Sequence, residues 1–215
     1  MSEIGETPLT SPDNPRIHRP GKRVEVFEIT KPHIQTRIDR LYKVVNIEEI
    51  EGMPRFRGFA DGQIDGEEDP MQIIVLDASE DRTKKEFIEV INPEIVESSK
   101  MLRRNKEGCY TFKGIAVITE RPEWVEFTGY NRKGEKIPVR RLTGDAAQVF
   151  FHEYDHAVKG RTFMSRTRKN KDIKTVTNPM ELAEFRASPE NYNKIPDIQT
   201  VNDMAGRDII RKKQE

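Results

Sequence analysis

AAQVFFHEYDHAV, residues 146–158, reads as a helix opened by Thr143 and Asp145, with Val149, Phe150 and Phe151 able to face a core. His152 and His156 stand four residues apart, and on a helix that spacing puts both imidazoles on one face, where they can hold one metal ion. Glu153 between them is placed to exchange protons with a water on such an ion. Chance pairing in a surface helix is the bland alternative. The chain has 4 histidines and this stretch takes two of them, so the metal reading is preferred.

Two histidines leave a tetrahedral site incomplete, because a catalytic centre needs a third protein ligand and an open position. Upstream, Glu107-Gly108-Cys109-Tyr110-Thr111 contains the chain's only cysteine. A thiolate is a good ligand for Zn²⁺ or Fe²⁺. Taken alone, Cys109 reads sooner as a small buried hydrophobe, the usual fate of a free cysteine.

Moving outward, the pattern alternates strands with turns. Ile34, Ile38, Leu41 and Val45 recur at helical spacing, which predicts a helix from about residue 31 to 49 with Thr30 and Pro32 at its start. Residues 52–66 form a Gly-containing connection into a strand over Gln72–Asp77. Further strands are expected at Phe87–Ile91 and Ile95–Glu97, broken at Asn92-Pro93, and at Ile115–Thr119, Trp124–Tyr130 and Lys136–Leu142. The last two are joined by a hairpin turn at Asn131-Arg132-Lys133-Gly134. Strands followed by a helix predict an α+β domain, with antiparallel or mixed sheets packed around a central helix. Beyond Arg161 apolar density falls, and only Val201–Arg211 carries a weak helical pattern.

Composition sets the frame. Of 215 residues, 34% are hydrophobic and 34% charged, so a compact centre with poorly packed ends is expected. Lys+Arg and Asp+Glu are each 37, which favours neither a polyanionic nor a polycationic partner. The longest apolar run, Met71–Leu76, is far too short to cross a membrane, and no secretory leader is visible in the first residues. One cysteine rules out an internal disulfide and fits a reducing compartment, so a cytoplasmic protein is expected, with an organelle matrix or a viral genome as alternative settings. His18 and His33 read as solvated and Trp124 as packing.

Glu107-Gly108-Cys109, followed by His152-Glu153-Tyr154-Asp155-His156 on a helix, resembles the second and third signature motifs of the peptide deformylases. Arg121-Pro122 before a strand resembles the segment between them. Phe56-Arg57-Gly58-Phe59-Ala60-Asp61-Gly62-Gln63 is similar to the family's first motif, G-x-G-L-A-A-x-Q, matching at Gly58, Ala60 and Gln63. Pro12-Asp13-Asn14-Pro15-Arg16-Ile17, with Val24 to Phe27, resembles the N-terminal arm. The resemblance spans about residues 12–166 and is absent from the tail. With the composition of the ends, it divides the chain into an extended arm (1–22), a deformylase-like catalytic domain (23–166) and a polar, partly disordered extension (167–215).

What the resemblance implies is a hydrolase removing the formyl group from formyl-methionyl polypeptides. Cys109, His152 and His156 would hold one divalent ion, Fe²⁺ or Zn²⁺ with Ni²⁺ also accepted. A hydroxide on that ion would attack the formyl carbon, and Glu153 would be the general acid/base. Gln63 and the backbone N–H of Tyr110 would meet the developing oxyanion, and Gly58 would let the backbone approach the formyl group. The chain departs from the family at Tyr110 and Thr111, which replace Leu and Ser, and at Gly160, one residue later than the matching glycine. Asp61 puts a carboxylate where the family has a small apolar residue, and is expected to face the substrate channel and repel acidic substrates. Two other classes stay open: an HExxH peptidase with a third ligand downstream of His156, and a non-catalytic component of a virion or ribosome-associated assembly. The basic run Arg161, Arg166, Arg168, Lys169, Lys171 and Lys174 reads as a solvated linker, or else as a contact with RNA or a larger assembly.

Overall fold

The computed structural model describes residues 3–4, 7–46, 57–66, 68–79, 85–112, 115–166, 173–175, 198–202 and 208–212. In chain order the strands are β1 (Glu3–Ile4), β2 (Thr7–Pro8), β3 (Gly58–Ala60), β4 (Ile73–Asp77), β5 (Phe87–Ser98), β6 (Leu102–Gly108), β7 (Ile115–Pro122), β8 (Trp124–Tyr130), β9 (Lys136–Thr143), β10 (Ile173–Thr175), β11 (Ile198–Asn202) and β12 (Asp208–Lys212). Among the described residues two α-helices accompany them, α1 (Pro32–Val45) and α2 (Gly144–Tyr154). All strand ladders are antiparallel, in a five-stranded sheet of order β3-β4-β5-β8-β9, a three-stranded sheet β10-β7-β6 and two separate pairs. This is the expected α+β class.

β4 organises the core. Side chains alternate across a strand, and here helices cover both faces, so every position from Ile73 to Asp77 is buried. Ile73 and Val75 point into a cluster with Ile34, Ile38, Leu41, Val44 and Val45 of α1. Ile74 and Leu76 point the other way, against Ala146, Ala147, Phe150 and Phe151 of α2, with Val125, Phe127 and Leu142 from the same sheet. Two covered faces turn the alternating pattern of a half-buried strand into a continuous apolar run.

Several expectations need correction. The first helix ends at Val45, closed by the Asn46 N–H on the Tyr42 carbonyl at 3.1 Å; its predicted continuation over 47–49 lies outside the described residues. The break expected at Asn92-Pro93 is a bulge inside one long strand. There the register of β5 on β8 shifts, and Asn92 takes a positive φ of 51°. Its side chain both accepts from Val24 N at 2.8 Å and donates to Val24 O at 2.7 Å. β6 was not foreseen: Leu-Arg-Arg-Asn-Lys-Glu-Gly has no alternating apolar pattern because it is an edge strand paired only to β7. The weak helix expected over Val201–Arg211 is not found at its described ends, which are strands: β11 and β12 pair in antiparallel register, and residues 203–207 lie outside the described residues.

Nor is the N-terminal arm poorly packed. Arg16 and Ile17 are buried, and the arm is stitched to the domain by Thr10 N to Gln63 O (2.9 Å), Gly21 N to Ala157 O (2.8 Å) and Lys22 N to Pro70 O (2.8 Å). Beyond the expected boundary at Arg166, β10 pairs with β7 through Ile173–Val117 and Thr175–Ile115. Most of residues 167–215, including the disorder expected there, lie outside the described residues. Among the described residues no helix is long and apolar enough to cross a membrane.

Ile38 sits with no exposure at the centre of the α1 face, remote from α2. Ile38→Ala is expected to cost about 2–5 kcal/mol through lost burial and an unfilled cavity. Denaturant unfolding should show this as a lower midpoint at unchanged slope. A cost under about 1 kcal/mol would contradict the packing described.

Candidate metal centre

α2 is the hinge between core and chemistry. Its Ala146, Ala147 and Phe150 pack on the five-stranded sheet, and the residues that follow, His152, Glu153 and His156, are all buried. Cys109 comes from the end of β6, walled by Ile17, Phe112, Val117 and Phe163. One ligand atom each from Cys109, His152 and His156 lie within 4.8 Å of one another. Cys109 Sγ and His156 Nε2 are 3.5 Å apart. A tetrahedral ion with a metal–sulfur bond near 2.3 Å and a metal–nitrogen bond near 2.0–2.1 Å needs an S–N edge of about 3.5 Å. The donor set and its spacing therefore fit a bound divalent ion.

A buried charge network orients these candidate ligands. Glu107 Oε2 takes the Nδ1–H of His152 at 3.0 Å and Arg121 Nη2 at 2.9 Å. Its Oε1 accepts from Arg121 Nε and Thr119 Oγ1, each at 2.5 Å. Arg121 Nη1 then reaches Asp155 Oδ2 at 2.8 Å. Because the Glu107 carboxylate only accepts, the proton of His152 sits on Nδ1 and the Nε2 lone pair is left for a metal. Burial alone would raise the Glu107 carboxyl; the charge and bonds of Arg121, with His152, instead hold it well below the usual carboxylate range. The two imidazoles lie 5.0 Å apart and are pushed in opposite directions. His152 resists burial through its bonds to Cys109 and Glu107 and rises, while burial and then the charge of His152 drive His156 down.

Glu153 completes the centre. It is 3% exposed, its Oε2 has no hydrogen-bond partner, and burial pushes the carboxyl up to about 7 against the pull of His152 and Arg121. Gly58 makes room for it: a Cβ at Gly58 would stand 2.8 Å from Glu153 Cγ and 2.8 Å from Val149 Cγ1. Gln63 reaches in from the turn after β3, its Oε1 accepting from Ala60 N at 2.7 Å and its Nε2 donating to Cys109 Sγ at 3.3 Å. Tyr110 follows Cys109 directly and rests its ring by Phe59, 6.3 Å between centroids.

The polypeptide deformylase family model matches residues 7–172. The chain belongs to the polypeptide deformylase family. It is 34% identical over 158 residues to the peptide deformylase of Aquifex aeolicus, covering 72% of this chain and 83% of that one. Similarity to peptide deformylase 1 of Burkholderia multivorans is also 34%, over 78% of this chain and 88% of the relative. Among solved structures, the peptide deformylase of Thermotoga maritima superposes with a TM-score of 0.63 at 25% identity, over 76% of this chain and 98% of that one. The Synechococcus elongatus peptide deformylase, solved in complex with actinonin, gives 0.62 at 25% identity, over 83% of this chain and 84% of its own. Peptide deformylases are metal-dependent enzymes that remove the formyl group from N-terminal methionine, and this chain is one of them.

Two departures from the deformylase pattern now have physical reasons. The helix does not stop as an α-helix: Asp155–Lys159 continue it as a π-turn, ending at Gly160 with φ 57°. A π-turn holds one more residue than an α-turn, which accommodates the glycine's displacement by one position. Both Gly160 N and Arg161 N return to the Asp155 carbonyl, and a Cβ on Gly160 would meet Pro20 N at 2.4 Å.

The expectation for Asp61 is overturned. Its carboxylate does not face a channel; it is 3% exposed and held by Arg16 Nη2 at 2.9 Å, Arg37 Nη1 at 2.7 Å and Met71 N at 2.9 Å. Like-charge repulsion of acidic substrates therefore has no source at this position. His18 is half-buried and not simply solvated: its Nε2 pairs with Pro12 O at 2.8 Å and its ring meets Phe112 edge-on. His33 is exposed as expected. Trp124 is partly buried, with the Arg141 guanidinium 3.9 Å over its ring. Sequence reasoning missed Thr119, and saw Arg121 and Asp155 only as matching letters. Two charged residues tens of positions apart become legible as partners only once β7 lies against α2.

Glu107→Gln keeps the shape but cannot hold the Nδ1–H of His152 as a charged acceptor. Metal affinity, measured by competition with a chromophoric chelator, is expected to fall about 10–100-fold. Unchanged affinity would remove Glu107 from the metal centre.

Proposed function

We propose that Cys109, His152 and His156 hold one divalent metal ion and that Glu153 is the acid–base group in the deformylation of formyl-methionyl polypeptides. One thiolate and two imidazoles suit Fe²⁺ and Zn²⁺, with Ni²⁺ also compatible. When bound, such an ion supplies Lewis acidity toward a carbonyl oxygen and acidity to a water. Glu153 is the observation that carries the reading. A buried carboxyl whose Oε2 has no hydrogen-bond partner, beside three candidate ligands, is not explained by packing, and its raised affinity for a proton suits a group that must take one and give it back.

In this reading Glu153 takes a proton from the attacking water. It then delivers that proton to the amine nitrogen as the C–N bond breaks, releasing formate and the free methionyl terminus. Gln63 Nε2, already directed at Cys109 Sγ, and the N–H of Tyr110 serve as donors for the oxyanion. The bare Cα of Gly58 keeps Glu153 close to the edge of β3, where a substrate backbone can approach.

The other classes lose support. A peptidase would take its third ligand downstream of His156, whereas here the third donor comes from Cys109 upstream. A non-catalytic assembly role would leave the intact ligand set and Glu153 without a use. We take the catalytic unit to end near Arg166, with β10 as an added edge strand. The basic run through Lys174 would serve as an electrostatic contact with the ribosome or another assembly, weakened by salt. Action on formyl-methionyl substrates would suit an enzyme working in a cytoplasm or an organelle matrix.

Two variants test this directly. Cys109→Ala is expected to lose most bound metal, measured per chain by elemental analysis. Glu153→Gln is expected to keep its metal and hydrolyse a formyl-Met peptide ~10²–10⁴-fold more slowly. Full metal in the first, or full turnover in the second, would contradict the corresponding assignment.

A further inference from the structure

The turn that presents Gln63 is fastened by charges that packing alone does not call for. Asp61 opens the 3-10 turn Asp61–Gln63, and its Oδ2 collects Arg16 Nη2, Arg37 Nη1 and Met71 N. Arg16 also reaches two carbonyls of the same segment, Asp61 O at 3.2 Å and Ile64 O at 3.0 Å. Arg37 belongs to α1 and Arg16 to the N-terminal arm, so one carboxylate joins three separate parts of the chain. Both guanidiniums are at most 7% exposed, and Arg16 Nη1 and Arg37 Nε lack partners. Burying three charges is costly, and an apolar cluster of the same volume would be as stable or more so. What charges add is direction: each bond fixes an angle as well as a distance.

We propose that Asp61 is a positioning residue for Gln63, clamping its turn between Arg16 and Arg37 so that the carboxamide meets the ligand set in one orientation. The proposal rests on the reading of Gln63 as an oxyanion donor. Ala60 N already holds Gln63 Oε1, which commits Nε2 to the side of Cys109. That hydrogen bond starts one residue before Asp61, so rotation of the turn moves donor and carboxamide together. Asp61 touches neither the ligands nor the acid–base carboxyl. Its effect on the reaction passes through Gln63.

The test compares Gln63→Ala, the charge-free variant Arg16→Met/Arg37→Met/Asp61→Ala, and the two combined, with Asp61→Asn as a milder member that keeps an acceptor in place. Gln63→Ala should lower kcat on a formyl-Met peptide by ~10²–10³-fold. The charge-free variant should lower kcat by about 10–100-fold with little change in KM, since a displaced donor is missed mainly in the transition state. In the Gln63→Ala background, removing the clamp should cost nothing more. Asp61→Asn should lie between wild type and the charge-free variant. Independently of turnover, the side-chain NH₂ resonances of Gln63 in the metal-stripped protein should shift when the clamp is removed, and shift less in Asp61→Asn. Should the charge-free variant fail to fold, Asp61→Asn alone decides, by the same kcat and resonance criteria. Additive losses in the combined variant, unchanged kcat, or unmoved resonances would overturn the clamp while leaving Gln63 as a donor. Full activity in Gln63→Ala would instead overturn the donor reading itself, and the clamp with it.

Discussion

One guanidinium joins the two halves of the candidate metal centre. Arg121, 2% exposed, stands on β7 between Glu107 of β6 and Asp155 at the end of α2, with carboxylates on both sides. Removing Arg121 would leave two carboxylates buried without compensation, and breaking a buried pair in this way costs about 3–5 kcal/mol in comparable networks. The network thus behaves as a unit. It fixes the three-stranded sheet to the helix, and through Glu107 it fixes the ring of His152 with Nε2 turned toward Cys109 and His156. The proposed ligands, from elements distant in sequence, are brought within reach of one another by contacts that are not themselves ligand contacts.

The rest of the fold serves that junction. β4, apolar on both faces, lets α1 and α2 pack on opposite sides of the five-stranded sheet, so α2 is held firmly on its apolar face while its histidines point away. The π-turn then redirects the chain at Gly160 against the arm at Arg19 and Pro20. The arm in turn supplies Ile17 to the wall around Cys109 and Arg16 to the turn bearing Gln63. Each layer is positioned by the one before it, and the buried ion clusters sit at the seams between them.

Much of this was legible in the sequence where short-range chemistry set the pattern. Histidines four apart and Glu153 between them follow from helical geometry alone, and β4 follows from an apolar run. The proposed third ligand did not follow from the residues: Cys109 alone reads sooner as a core residue than as a ligand, and only the deformylase resemblance of its neighbours pointed to it. Features set by distant partners stayed hidden. β6 is charged because one edge is open to solvent, so no alternation marks it. Asn92-Pro93 looks like a break because a bulge uses the same residues as a turn. Asp61 looks like a channel residue until Arg16 and Arg37, from two other segments, are seen to enclose it.

The central claim is that this network sets the proposed metal ligands before any ion arrives. Its most direct test is proton NMR of the chelator-stripped protein, selectively labelled at histidine ring nitrogens. A slowly exchanging Nδ1–H of His152, held by Glu107, should be present without metal and persist when one equivalent of Zn²⁺ is added. If that proton is absent from the stripped protein and appears only with the ion, then the metal organises the site and the network does not.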